Sequence, residues 1–479
     1  MPTLALATNG YFSHGWGTKS KAMAGVATAL PQDTLVTATN PAGMAFVGTS
    51  LDVGLAFFTP SPRGYDANDD YSVDPVSGFP TGPFVTPGRY DSEGDWFLIP
   101  SFGFNYELDE KSTIGFTVFG NGGLNTDYRD RPVWENFAAA PNQLAIESGG
   151  TPPPGTIASP SGLLFTQTNP PMPVTDPSMP PPPNGNNANP GGFLTATTST
   201  GVDLEQLFIE IPYTFKFADG KQSVGIAPVF AMQSIEVKGL QPFRAASLYP
   251  DQVSNNGTDW SYGAGLHLGW YGEVTDQLAF GMSYRTKMWM SEFDDYKGLF
   301  ANGGEFDIPA MLNIGVSFKA RPNLTFAFDY ERIFYGEIAS ISNSNDNDIS
   351  PCFTSNPKPA FCLGGDDGLG FGWDSMDILK AGVRYDHDEK LSLMGGVSYN
   401  SEFASDRQAL LNIMAPATIR WHLTLGASYR FTEKDEFALA FSYMPEEEVN
   451  GTSPSITQAQ TGSLYMEQMD IQIGWNHRF

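Results

Sequence analysis

Period-two alternation of apolar and polar positions runs through most of the chain. From Trp260 to Trp270 the even positions are Trp260, Tyr262, Ala264, Leu266, Leu268 and Trp270, and the odd ones are Ser261, Gly263, Gly265, His267 and Gly269. One face is apolar with aromatics at both ends; the other is small or polar. The same division sets Trp421, Leu423, Leu425, Tyr429 and Phe431 against Arg420, His422, Thr424, Ser428 and Arg430. It recurs with Leu324, Phe326, Phe328 and Tyr330 against Thr325, Ala327, Asp329 and Glu331. Fourteen such strands are predicted, at 49–58, 94–107, 112–121, 200–217, 222–239, 258–273, 277–290, 304–318, 323–335, 372–386, 390–404, 417–431, 435–447 and 463–479. A soluble sandwich would turn the apolar face inward. A membrane barrel turns it to lipid and gathers aromatics at the two interfaces.

Connection lengths choose between these. Those near 59–93, 122–199, 240–257, 291–303, 336–371, 405–416 and 448–462 are long. Those at Asp109-Glu110, Asp219-Gly220, Thr275-Asp276, Arg321-Pro322, Asp386-His387-Asp388 and Glu433-Lys434 are tight. Long and short alternate throughout, as in outer-membrane barrels with short periplasmic turns and long external loops. The last strand, Met469 to Phe479, alternates and ends on an aromatic, as bacterial outer-membrane barrels commonly do. No stretch approaches 18 consecutive apolar residues, so no transmembrane helix is expected. The predicted fold is all-β: a 14-stranded antiparallel barrel in the bacterial outer membrane.

Composition agrees. Charged residues make up 16% of the 479, and Gly (51), Pro (37) and Phe (35) are abundant. Acidic residues outnumber basic ones 53 to 26, a net charge of −27, which gives no electrostatic reason to bind nucleic acid.

Two segments do not alternate. Residues 8–48 contain a helical candidate from Lys19 to Leu30, followed by Pro31 and Asp33. A fourteen-stranded lumen is too wide for its own side chains to fill. We therefore expect residues 1–48 to form a plug inside the barrel formed by 49–479. Ala5-Leu6-Ala7 reads equally as the end of a signal peptide at 1–7 or as an ordinary small-residue start. Between Thr151 and Gly192 the chain is rich in proline with one charge, Asp176, a composition for an extended external loop.

Catalytic chemistry is not evident. Gly-x-Ser followed by an aromatic recurs at Gly281, Gly315, Gly396 and Gly426, without the second glycine of a nucleophile elbow and in mid-strand. These read as strand repeats with Gly and Ser facing the lumen. The five histidines (His14, His267, His387, His422 and His477) include no pair at metal spacing, and no cofactor or enzymatic activity is expected. Cys352 and Cys362, ten residues apart in a long loop, are expected to form a disulfide. Asp66, Asn68, Asp70 and Asp74 lack the Gly and Glu of an EF-hand; with Asp346/Asp348 and Asp366/Asp367 they read as solvated loop tips or a loose divalent-cation site.

Residues Asn9-Gly-Tyr-Phe-Ser-His-Gly-Trp-Gly17 through Gly25, then Thr39-Asn-Pro-Ala-Gly-Met44, resemble the N-terminal plug of the FadL/TodX family of outer-membrane hydrophobic-compound transporters. Gly120-Asn-Gly-Gly-Leu-Asn-Thr-Asp127 is similar to the kinked third strand of that family. The resemblance implies passive uptake of hydrophobic molecules, with capture by external loops, a pocket beside the plug, and sideways exit into the outer membrane. It implies that Asn40, Pro41 and Ala42 anchor the plug and that Gly120, Gly122 and Gly123 border the lateral opening, since glycines permit a bulge. Candidate loop residues for the ligand are Leu240, Pro242, Phe243, Leu248, Tyr249, Phe293, Leu299 and Phe300. Arg285, Lys287, Lys380 and Arg384 would either meet a ligand carboxylate or pair with Asp329 and Glu331 to brace the plug. The implied partners are fatty acids or hydrocarbons, aromatic ones included, and the lipid and lipopolysaccharide around a monomer. A porin or a surface adhesin are the alternatives.

Overall fold

The computed structural model describes residues 8–69, 72–73, 80–81, 85–94, 96–131, 133–134, 156–158, 164–166, 199–345, 352, 359–402, 406–452 and 460–479. The expectations for residues 1–7, for Asp70, Asp74, Asp346 and Asp348, and for nearly all of the Pro-rich stretch lie outside them.

Fourteen antiparallel strands close into a barrel. They are β1 (Ser50–Thr59, resuming at Arg63–Ala67), β2 (Gly88–Asp91 and Phe97–Glu107), β3 (Ser112–Tyr128), β4 (Thr200–Glu210 and Tyr213–Phe217) and β5 (Gln222–Lys238). Then come β6 (Asp259–Thr275), β7 (Leu278–Arg285 and Trp289–Met290), β8 (Met311–Arg321), β9 (Leu324–Ile333) and β10 (Met376–Asp386). β11 (Leu391–Asn400), β12 (Trp421–Arg430), β13 (Asp435–Thr452) and β14 (Thr461–Arg478) complete the wall. Each strand pairs with its neighbour in sequence, and β14 returns to β1 in register from Ser50↔Arg478 to Thr59↔Met469.

Burial along the strands is inverted relative to a soluble protein. Leu425 is 66% exposed and Leu379 61%, while His422, Ser442 and Ser261 are fully buried. An apolar face left open on every strand needs a lipid solvent. At the tight-turn end, aspartates satisfy the main chain: the Asp109 carboxylate accepts from Lys111 N and Ser112 N at 2.8 Å each, which holds its carboxyl below the usual range. Asp388 serves Lys390 N and Leu391 N in the same way. Among the described residues no helix is long and apolar enough to cross a membrane.

Several boundaries differ from expectation. β3 runs on to Tyr128, and β8 begins at Met311 rather than 304, because Phe306 and Ile308 turn into an apolar interior and are buried. The expected helix from Lys19 to Leu30 is only one turn, Thr18–Lys21. Ala24 and Gly25 take positive φ, and the Ala27 and Thr28 amides bond a barrel carboxylate instead of a preceding helical turn.

Candidate functional site

Residues 8–48 lie against the inward faces of the wall. Buried ion pairs tie them to one side: Lys19 Nζ to Glu436 of β13 at 2.7 Å and Lys21 Nζ to Asp470 of β14 at 2.8 Å. Asp329 of β9 accepts from Ala27 N, Thr28 N and Thr28 Oγ1 at 2.7–2.9 Å. Lys380 of β10 spans both partners, donating to the His14 carbonyl at 3.1 Å and pairing with Glu331 of β9 at 3.0 Å. Burial, then the charges of Lys21, His422 and Lys380, holds the His14 imidazole well below its ordinary range. Burial and the neighbouring Asp52 carboxylate push Asp33 up.

Asn40, Pro41 and Ala42 sit in this arrangement. Asn40 Oδ1 caps the turn Pro41–Phe46 by accepting from Ala42 N, and its Nδ2 donates to Thr28 O at 2.8 Å and Trp270 O at 3.0 Å. Ser223 Oγ of β5 donates to Ala42 O at 2.7 Å. The inward glycines of the Gly-x-Ser repeats have a matching use. A Cβ on Gly281 would collide with the Thr28 carbonyl and one on Gly396 with Met23, so the repeats make room for the segment. Alternation alone gave no reason to expect this.

On β3 the contact changes character. Opposite β4 the register shifts between Gln206 and Leu207, leaving Asn121 as the extra residue of a bulge. There Gly123 N donates to Tyr11 O at 2.8 Å, Ser13 N to Asn121 O at 3.0 Å, and Trp16 Nε1 to Gly120 O at 3.0 Å. A Cβ at Gly122 would collide with the Tyr11 carbonyl, so only glycine allows this approach. The Asn121 side chain donates to Gln206 Oε1 at 2.9 Å and accepts from Arg285 Nη2 at 2.8 Å. Buried Arg285 lies beside the rings of Phe12, Trp16 and Phe208, 4.0 Å from Glu210.

The β2–β3 ladder runs from Glu107↔Thr113 to Ser101↔Phe119 and stops. Beyond it, Phe97–Pro100 have ladder partners on β1 and residues 120–128 on β4, with no β2–β3 rung among the described residues of these stretches. Pro100 has no N–H to offer β3. Among the described residues the β2–β3 ladder is therefore interrupted where the β3 main chain has turned to the N-terminal segment.

At the long-loop end lies an apolar cavity. Leu124, Val202, Leu204, Ile235 and Val237 line it from β3, β4 and β5, and Leu240, Phe243, Leu299, Phe300, Phe306, Leu363, Leu369, Phe371, Leu411 and Met414 from the loops. Trp134, Ser340 and Gly370 complete the lining.

Residues 193–472 match the family described as outer membrane protein transport protein (OMPP1/FadL/TodX). The chain belongs to this family. Its members are transport proteins of the outer membrane, and this barrel is an outer-membrane channel for hydrophobic compounds. It is similar to the crystal structure of the Pseudomonas putida toluene transporter TodX, at 17% identity and a TM-score of 0.59, over 97% of this chain and 99% of that one. A Pseudomonas aeruginosa FadL homologue aligns at 13% identity and a TM-score of 0.62, over 98% and 100%. The Ralstonia pickettii toluene transporter TbuX aligns at 15% and 0.55, over 97% and 99%. At these identities the likeness concerns the fold. Comparison with curated protein sequences finds no match.

Within this FadL/TodX-family barrel, Leu240, Phe243, Leu299 and Phe300 converge on the cavity, and Phe293 packs behind Phe300 and Phe306. Leu248 does not; it is 36% exposed beside Leu363. Cys352 and Cys362 are bonded, one residue before the lining Leu363. The lumen cations pair with carboxylates of the wall and loops: Lys380 with Glu331, Lys287 with Asp307 and Arg384 with Asp386. The lining residues of β3, β4 and β5 were missed because each reads in sequence as one more inward position. Among the described residues no cluster of three or more metal-ligating side chains occurs.

Proposed function

We propose that this barrel passively conducts neutral hydrophobic molecules, hydrocarbons rather than fatty acids, from the external loops through the apolar cavity. Residues 8–48 act as the plug, and ligand leaves sideways through the gap between β2 and β3. The observation that carries the reading is the lining: of its eighteen residues only Trp134 and Ser340 have a polar side-chain atom, and none is charged. Ser340 Oγ is already used, donating to Glu305 O and accepting from Ala301 N. A fatty-acid carboxylate would be buried here without a counter-charge, at a cost of several kcal/mol. A hydrocarbon loses nothing on entry. The lateral exit is supported by the absent rungs between β2 and β3 and by the glycines at the bulge, and a monomer suffices for it.

The test is uptake of labelled toluene and of labelled oleate by cells carrying this chain as their only such barrel. Wild type is compared with a Gly123→Arg variant that still assembles in the outer membrane. Toluene uptake above empty cells, lost in the variant, with oleate near background, is expected. Oleate uptake equal to toluene would overturn the ligand class, and unimpaired uptake in the variant would overturn the lateral exit. Ion conductance typical of an open pore would favour a porin, and no uptake of either probe an adhesin.

A further inference from the structure

The gap in the wall has a definite upper end. On its lower side the last rung is Ser101↔Phe119. On its upper side β2 and β3 are rejoined by Glu93 N donating to Asp127 O and Asp127 N donating to Ser92 Oγ, both at 2.8 Å. Residues 120–126 of β3 lie between these limits, roughly 23 Å of extended chain.

One side chain ties the upper end together. Arg63, 1% exposed, donates through Nη1 to Pro60 O at 3.0 Å. Its Nη2 reaches Glu93 O and Gly94 O at 3.1 Å each and Asn125 Oδ1 at 2.7 Å. It thus joins β1, the 92–94 turn of β2, and β3 at the level where the ladder is missing. Its guanidinium also lies 5.9 Å from the ring of Phe97, on the unpaired stretch of β2. Asn125 in turn donates to Asp203 of β4 at 3.1 Å, which carries the brace into the next strand. Gly94 has φ +89°, and a Cβ there would crowd Asn125 Oδ1, so the turn is shaped for this approach. A planar fork of fixed donors suits a site that must reach several acceptors at once; a lysine's point charge does not.

Arg63 also lines a small pocket beside the main cavity. Its lining includes Phe58, Arg63, Leu124, Asn125, Met414 and Met466. Leu124 and Met414 line the main cavity too, so the two adjoin.

We propose that Arg63 is a positioning residue that fixes the upper edge of the gap and so sets the girth of the hydrocarbon that leaves through it. The inference rests on the lateral exit proposed above. Its test is the ratio of phenanthrene to toluene uptake in the same cells, for wild type, Arg63→Met, Arg63→Lys, Asn125→Ala and Gly123→Arg, each compared at equal amounts of assembled barrel. Arg63→Met should raise the ratio on the order of tenfold, the factor by which 1.4 kcal/mol of discrimination acts. Arg63→Lys should restore it only in part, and Asn125→Ala, which removes the bond to Asn125 Oδ1 alone, should shift it the same way by less. A purely structural role would lower both uptakes together and leave the ratio unmoved, which overturns the inference. If Arg63→Met does not assemble, Asn125→Ala decides alone. Gly123→Arg separates the two readings: uptake lost there with an unchanged Arg63→Met ratio overturns Arg63 and spares the exit, whereas uptake retained there overturns both.

Discussion

The N-terminal segment meets two parts of the wall, β9 to β14 and β3, in different ways. From β9 to β14 each strand is laddered to its neighbours, with one register shift in β13 between Met444 and Glu447, and the segment is held by side chains: Lys19, Lys21, Asp329 and Lys380. Along β3 beyond Phe119 the ladder to β2 is missing, and the freed main-chain groups of Gly120, Asn121 and Gly123 hold Trp16, Ser13 and Tyr11 directly. A backbone polar group must find a partner wherever it is buried. A strand that leaves its neighbour therefore needs another, and the segment supplies it. The charged side is costly to break because each half of a pair strands the other. The β3 side is a set of ordinary hydrogen bonds, each worth about 1 kcal/mol net. One side anchors; the other can yield.

The largest effect is expected at the charged side. Lys380→Met leaves Glu331 buried without its counter-charge and should destabilise the folded barrel by about 3–5 kcal/mol, read from denaturant unfolding in detergent. Adding Glu331→Gln should recover most of the loss; a single variant as stable as wild type would mean the pair does not anchor. Gly122→Val attacks the yielding side, because its side chain cannot fit against the Tyr11 carbonyl. It should cost about 1–3 kcal/mol and strip hydrogen-exchange protection from Ser13 and Gly123, with Ala27 and Thr28 still protected. Loss at all four would show that the two sides release as one.

The smallest effect sharpens the anchor by pH. Burial and then Asp52 raise the Asp33 carboxyl from its ordinary 3.8 to about 7. Below the unfolded value both states are protonated and the group costs nothing. The cost builds as pH rises toward the folded value and is complete above it. Asp33→Asn keeps an acceptor for Leu35 N and removes the charge. It should match wild type near pH 4 and exceed it by on the order of 1 kcal/mol at pH 8, in the same unfolding assay. Equal stability at both pH values would place Asp33 outside the anchor.

The strand alternation from Trp260 to Trp270 and from Trp421 to Phe431 is legible without coordinates, because a pleated strand between lipid and lumen must sort its side chains every second residue. The alternation of loop lengths is legible for a similar reason: the two ends of a barrel face different compartments. The helix expected over Lys19 to Leu30 was not, since Asp329, some three hundred residues away, takes the amides that a helix would have used.

By itself, then, the sequence determined the barrel, its strand number and the face each strand turns to lipid, since these follow from local periodicity. Tertiary structure alone decided which inward residues form the cavity, why the repeat glycines stand where they do, and how the wall is held beside its gap. Leu124, Leu204 and Ile235 are ordinary lumen positions until the loops bring Phe300, Phe306 and Met414 over them. Arg63 is one more arginine until β1, β2 and β3 set four acceptors around it. Both depend on contacts between residues distant in the chain, and a period of two carries no record of those.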